Sequence, residues 1–245
     1  MEQKSNKTIV RECYRKIIRD LDLSIIDNYI REDYIQHSPT IKDGRAGLLE
    51  MLNFLQTLPK PQQDTPSPII RLIAEGDLVA VHLDIKFMGK SMAVIDLFRV
   101  QNGQLAEHWD ASEVQPDQGD SLITMTNGNT FIDDAADGNK SKMVVLNLYR
   151  DVFEQKNLDA ANKYISYDFI EHCPANGLLS KAGYIVKLHR IIAEGNFVVA
   201  QSDYSHMENA FAVYSIFRID AGRIAEHWKV EQEIPAAMAH ANGMF

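Results

Sequence analysis

The sequence predicts an α+β unit written twice, with helices covering one face of an antiparallel sheet. Three observations predict it. Ala106-Glu107-His108-Trp109 recurs unchanged as Ala225-Glu226-His227-Trp228, 119 positions downstream. Within each copy the hydrophobic period changes from the spacing of amphipathic helices to the alternation of half-buried strands. Asn102-Gly103, a pair favoured in type I′ turns, sits between two alternating runs and marks a hairpin.

The echo extends well beyond four letters. At the same offset Ile73-Ala74-Glu75-Gly76 returns as Ile192-Ala193-Glu194-Gly195, Phe98-Arg99 as Phe217-Arg218, and Gly103 as Gly222. Upstream the offset is 135, matching Tyr14-Arg15 to Tyr149-Arg150, Tyr29-Ile30 to Tyr164-Ile165, and His37 and Pro39 to His172 and Pro174. The registers differ by 16 residues, so one unit has been copied with a segment lost or gained. A repeat of this length is a whole domain. The expected division is a complete copy over 1–131, a linker over 132–141, and a degenerate copy over 142–245.

In order along the first copy, Thr8 to Leu21 has the apolar stripe of a helix, with Ile9, Val10, Cys13, Ile17 and Leu21 on it. Asp22 or Ser24 can cap a second short helix through Tyr29-Ile30. Pro39 then stops further helix and leaves His37 extended. Leu48 to Leu55 gives a third helix ending before Pro59 and Pro61. After the proline-rich stretch from Pro59 to Pro68, four strands follow: Ile69 to Ala74, Val79 to Ile85, Ser91 to Gln101, and Gln104 to Val114. Gln115 to Asn139 is polar and reads as tail and linker. Asn127-Gly128 with Phe131 there is echoed by Asn242-Gly243 with Phe245, either a shared tail or an Asn-Gly turn met twice. In the second copy Lys142 to Phe153 and Leu158 to Ile165 are helical, and the chain then runs from His172 almost directly to a strand near Tyr184 to Ala193. The missing residues coincide with Leu48 to Leu58, so this copy lacks the third helix.

Bulk properties narrow the function classes. The 245 residues are 45% hydrophobic and 24% charged, an ordinary globular composition. A formal net charge of −9 argues against nucleic acid or an anionic membrane surface as partner. No run of 18 apolar residues can form a membrane span, and the polar start has no apolar signal-like run. Cys13 and Cys173 fall at unmatched places and read as reduced thiols of a cytoplasmic protein. No cofactor or metal motif stands out. His37, His82 and His108 would have to converge to hold a metal, and their spacing is not that of any metal site.

The order of helices, Tyr-Ile-Gln-His-x-Pro, and four strands ending Phe-Arg-x6-Ala-Glu-His-Trp-Asp resembles the SnoaL-like polyketide cyclase family. That family belongs to the nuclear transport factor two-like superfamily. The resemblance is nearest to its branch of predicted SnoaL-like aldol-condensation enzymes, which share an Asn-Gly tail. It implies tandem cone-shaped domains, each a strongly curved antiparallel sheet wrapped on helices around an apolar pocket. By the family's pattern, the acid/base aspartate after the hairpin glycine matches Asp110, and Asp96 stands where cyclases often carry histidine. Strand alternation puts Ala106, His108, Asp110 and Ser112 on one face and Leu105, Glu107, Trp109 and Ala111 on the other. Asp110, Asp96 and His108 are thus the catalytic candidates. His37 at the pocket mouth, His82, Leu52 and Phe98 are the ligand-binding ones, with His82 open between the pocket and the outer face. The division of roles in ketosteroid isomerase, one aspartate as base and a second, protonated one as donor, offers parts for Asp110 and Asp96. In the second copy these positions read Lys229 and Ser215, and His82 becomes Gln201, so that copy is expected to be architectural. The superfamily often dimerises through convex sheet faces, which implies a monomer with an internal pseudo-dimer or a weak homo-oligomer. Trp109 and Trp228 would anchor that contact. Two functions follow: a lyase, isomerase or cyclase abstracting a proton beside a carbonyl, or a non-catalytic binder of a small apolar ligand.

Overall fold

The computed structural model describes residues 4–59, 66–117, 119, 122–173 and 177–245. Pro61 and Pro174 lie outside them. Helix α1 (Asn6–Cys13) is capped by Ser5, whose hydroxyl accepts the Thr8 N–H, and widens into a π-helical segment, Tyr14–Arg19. A 3₁₀ turn, Leu23–Asn28, leads into strand β1 (Ile30–Gln36). Then come α2 (Gly44–Gln56), β2 (Ile69–Glu75), β3 (Leu78–Phe87), β4 (Lys90–Gln101) and β5 (Gln104–Val114). The second half repeats this with α3 (Gly138–Leu148), a π segment Tyr149–Glu154, a 3₁₀ turn Leu158–Lys163, and β6 (Ile165–Glu171). It continues with β7 (Ile185–Glu194), β8 (Phe197–His206), β9 (Asn209–Asp220) and β10 (Arg223–Glu233). Between β6 and β7 the described residues 177–184 form turns where the first half has α2.

Each half builds one five-stranded sheet, in the orders β1-β5-β4-β3-β2 and β6-β10-β9-β8-β7. The sheets are mixed, which corrects the expectation of a purely antiparallel one. The Ile30–Gln36 stretch, expected as the end of a helix and an extended loop, pairs parallel with β5. The 3₁₀ turn closes with the Tyr29 N–H on Ile26 O, and Tyr29 O then takes the Leu105 N–H. Ile30 and Tyr34 are buried beneath this strand and the helices.

One face of the first sheet carries Val79, Val81, Leu83, Val94 and Phe98 against Val10, Ile17 and Leu52. The opposite face, with Ile95, Leu97, Trp109 and Ala111, packs on the same face of the second sheet, with Tyr214, Ile216, Trp228 and Val230. The two halves are therefore a pseudo-dimer, sheet to sheet, with both tryptophans fully buried between them.

The repeated motifs are placed at this seam. Glu75 accepts the Ala193 N–H at 2.9 Å and Lys142 at 2.5 Å. Reciprocally, Glu194 accepts the Ala74 N–H at 2.7 Å and Lys7 at 2.6 Å. At the other end Gln232 accepts the Ser112 N–H and Glu113 the Glu231 N–H, both at 3.0 Å. Cys13 and Cys173 are both free and buried, and burial pushes each thiol up to about 12. No helix among the described residues is long and apolar enough to cross a membrane.

Candidate active site

The expected alternation on β5 breaks at Ala106. Arg99 pairs with Glu107 but Val100 pairs with Leu105, so Ala106 is the extra residue of a bulge. Leu105 therefore joins the helix-side core together with His108 and Asp110, while Glu107, Trp109 and Ala111 face the seam. The same bulge recurs at Ala225.

On the helix side, Asp96 of β4 lies directly across from Asp110 of β5. Asp96 accepts the Tyr14 hydroxyl, delivered by the π segment of the first helix, and lies 3.1 Å from His108 Nε2. His108 Nδ1 lies 2.9 Å from Gln36 Oε1, an oxygen that also accepts the N–H groups of His37 and Ser38. These two backbone donors fix which end of the Gln36 amide faces the ring. Phe98 stacks on His108 with centroids 4.6 Å apart. Burial works against an imidazolium here, but the hydrogen bond and charge of Asp96, with Asp110 beyond, raise the His108 pKa above its usual value. Burial raises the Asp110 carboxyl too, reinforced by Asp96 and opposed by the His108 charge and the Ser38 hydroxyl. Asp110 is only partly exposed, and its buried Oδ1 has no hydrogen-bond partner among the described residues.

Asp110, Asp96 and His108 are thus gathered on one face, with Phe98 against them. The roles taken from ketosteroid isomerase need one change, because both Asp96 oxygens already accept and the unspent carboxylate is Asp110. Leu52 is fully buried in the helix–sheet core. One hollow of about 440 Å³ lies between the linker and the β9–β10 turn, and another of about 300 Å³ lies between α1, β2 and the first tail.

His37 and His82 belong to the seam. His37 stacks on Trp109 at 5.0 Å, with Nε2 2.9 Å from Glu107 and Nδ1 2.9 Å from Gly243 O in the tail of the other half. His82, flanked on β3 by core-facing Val81 and Leu83, points outward and accepts from Arg71 at 3.0 Å. Burial first, then the Arg71 charge, hold its pKa well below the usual range. With His108 on the opposite face, the three histidines do not converge on a common point. Sequence reasoning missed the matched set behind this arrangement: Glu107 and Glu226 bridge Arg99 to His37 and Arg218 to His172. His172 stacks on Trp228 at 4.5 Å, and Arg71 and Arg190 cover Trp228 and Trp109 from the opposite halves at 3.9 and 4.0 Å. The identical recurrence of these residues, Arg99 and Glu107 at the 119 offset and His37 at the 135 offset, was the available signal.

In the second half the side chains at the equivalent positions are paired with one another. Lys229 pairs with Glu231 at 2.8 Å, and Lys181 shares that carboxylate at 2.7 Å. His227 Nδ1 lies 3.0 Å from both oxygens of Glu171, which replaces Gln36, and Nε2 lies 3.2 Å from Ser215 in place of Asp96.

Two mixed five-stranded sheets, each carrying helices on one face and sharing the other, make an α+β architecture built twice in one chain. Residues 10–108 match the model of the SnoaL-like domain family. Similar solved structures each span about one half of the chain. IdmH of Streptomyces antibioticus, a candidate polyketide cyclase, is 23% identical over 45% of this chain and 93% of its own, at a TM-score of 0.37. TsrD of Streptomyces laurentii is 17% identical over 46% and 92%, at 0.36. A nuclear transport factor two-like protein of unknown function from Mesorhizobium loti is 16% identical over 42% and 97%, at 0.34. No curated protein matches the chain.

Proposed function

We propose that the first half is a lyase, isomerase or cyclase acting on a small, largely apolar carbonyl compound, with Asp110 as the base that removes a proton beside the carbonyl. The observation that carries this is the unspent Asp110 carboxylate: raised by burial, partly accessible, one oxygen unpartnered, beside a histidine whose cationic form the site favours. A carboxylate with an elevated pKa is a stronger base than a free one. The positive charge on His108, held in place by Asp96 and Gln36, favours the enolate as it forms. Tyr14 acts through Asp96 as a positioning residue. The second half contributes architecture, since Lys229 is tied to Glu231 where a base would stand.

The test is turnover by Asp110→Asn on a panel of enolisable ketones and β-keto thioesters. A loss on the order of 10²–10⁴ is expected, the usual size of a general-base contribution. Lys229→Asp introduced into Asp110→Asn should restore nothing, because the second half has Ser215 where the first has Asp96. Undiminished turnover in Asp110→Asn, with ligand still bound, would favour the binding-module reading instead.

A further inference from the structure

The halves also differ where their two tails end. In the second half the tail after Asn242-Gly243 turns back onto β7, and Phe245 stacks on His189 with centroids 4.0 Å and planes 6° apart. At the 119 offset the matching residue on β2 is Ile70. The first tail leaves the space over it unfilled. It runs Asn-Gly-Asn-Thr-Phe, one residue longer than Asn-Gly-Met-Phe, and its Phe131 stands 73% exposed. A half-open hollow of about 300 Å³ remains, with Ile70, Ile73 and Phe197 among its lining, Phe131 at its side, and Lys7 and Arg11 of α1 at its edge.

Charge separates the halves at the same spot. The residue of α3 matching Arg11 at the 135 offset is Leu146. Lys7 is engaged by Glu194, but the Arg11 side chain is exposed and makes no hydrogen bond or ion pair among the described residues. A free guanidinium therefore borders a slot, with Ile70, Ile73 and Phe197 beside Arg71 and Thr130 in its lining, at the place that the other half fills with an aromatic ring.

We infer that this hollow binds a small aromatic carboxylate. The ring takes the place over Ile70 that Phe245 takes over His189, and the carboxylate meets the Arg11 fork, whose planar donors match a carboxylate's two oxygens. The volume is at the small end of ligand sites and suits one or two rings. Because β2 is the edge strand, with β3 and β4 between it and β5, this site is separate from Asp110.

The probe is 2-naphthoate, titrated into the full chain and followed by its fluorescence and by calorimetry, with neutral 2-naphthalenemethanol alongside. Saturable one-to-one binding is expected, with Kd below about 1 mM. The alcohol, and the acid with Arg11→Leu, should bind at least about tenfold more weakly, the usual effect of losing a hydrogen bond to a charged group. Ile70→Trp should fill the slot and abolish binding, while Asp110→Asn should leave it unchanged. No saturable binding, binding undiminished by Arg11→Leu, or binding lost in Asp110→Asn would each overturn the assignment.

Discussion

Asp110 and Lys229 occupy the same position on the last strand of their sheets, yet only Lys229 is paired off inside its own half. An unspent buried carboxylate costs folding energy whenever it is ionised, because burial disfavours the charged form. Its folded pKa lies above the unfolded value, so its contribution is most favourable in acid and declines as pH rises through the folded pKa. Asp110→Asn should therefore raise the melting temperature at neutral pH, by on the order of 2–4 °C for about 1 kcal/mol in a chain of this size. The gain should shrink as the pH falls below the folded pKa of Asp110. Melting curves across pH would check it, and a variant less stable than the parent at neutral pH would show that Asp110 is a structural residue. A gain in stability joined to a loss of turnover is the pattern of a functional group kept at a cost to the fold.

At the scale of single elements, the strands, the hairpin turns and the seam-facing tryptophans were legible in the sequence, because alternation and Asn-Gly or Gly turns dictate them locally. The β5 bulge was not. One extra residue at Ala106 leaves the sequence alternating while turning Leu105 to the other face, and that depends on the partner strand. For the same reason the seam-side place of His37 was hidden: it is set by Glu107 and by the tail of the other half, far away in sequence. The tails themselves are held with different closeness. A Cβ on Gly128 would meet Glu226 Oε2 at 2.5 Å and His172 Cε1 at 2.7 Å, at φ +90°, whereas one on Gly243, at φ +73°, would meet nothing within 4 Å. Gly128→Ala should cost more than the roughly 1–3 kcal/mol of backbone strain alone, and Gly243→Ala about that strain and no more. Urea denaturation of the two variants separates these outcomes. Equal losses would mean that the first tail does not dock on His172.

For the molecule as a whole, nearly every repeated motif serves the contact between the halves, and what distinguishes the halves lies away from it. Ile-Ala-Glu-Gly supplies the reciprocal glutamates to the Ala193 and Ala74 N–H groups. Phe-Arg with Ala-Glu-His-Trp supplies the arginine–glutamate–histidine bridges and the stacked tryptophans. A seam satisfied within one chain leaves that surface closed to a second copy, so light scattering should report a mass near 27.7 kDa at neutral pH. The seam also carries the strongest acid sensitivity. Burial alone would raise the Glu226 carboxyl, but His172, Arg218 and the Asn129 N–H outweigh it and bring it from 4.5 to about 2. A carboxylate depressed on folding stabilises the native state above its unfolded value and loses that contribution as pH falls through the folded one. Between about pH 4.5 and 2 the seam should therefore weaken, by up to ~3 kcal/mol for a shift of that size. Glu226→Gln keeps the shape without the charge. It should be less stable than the parent at neutral pH and converge with it toward pH 2, as followed by tryptophan fluorescence, which reports Trp109 and Trp228 inside the seam. A difference that stayed constant across that range would remove the Glu226 charge from the account of what holds the halves together.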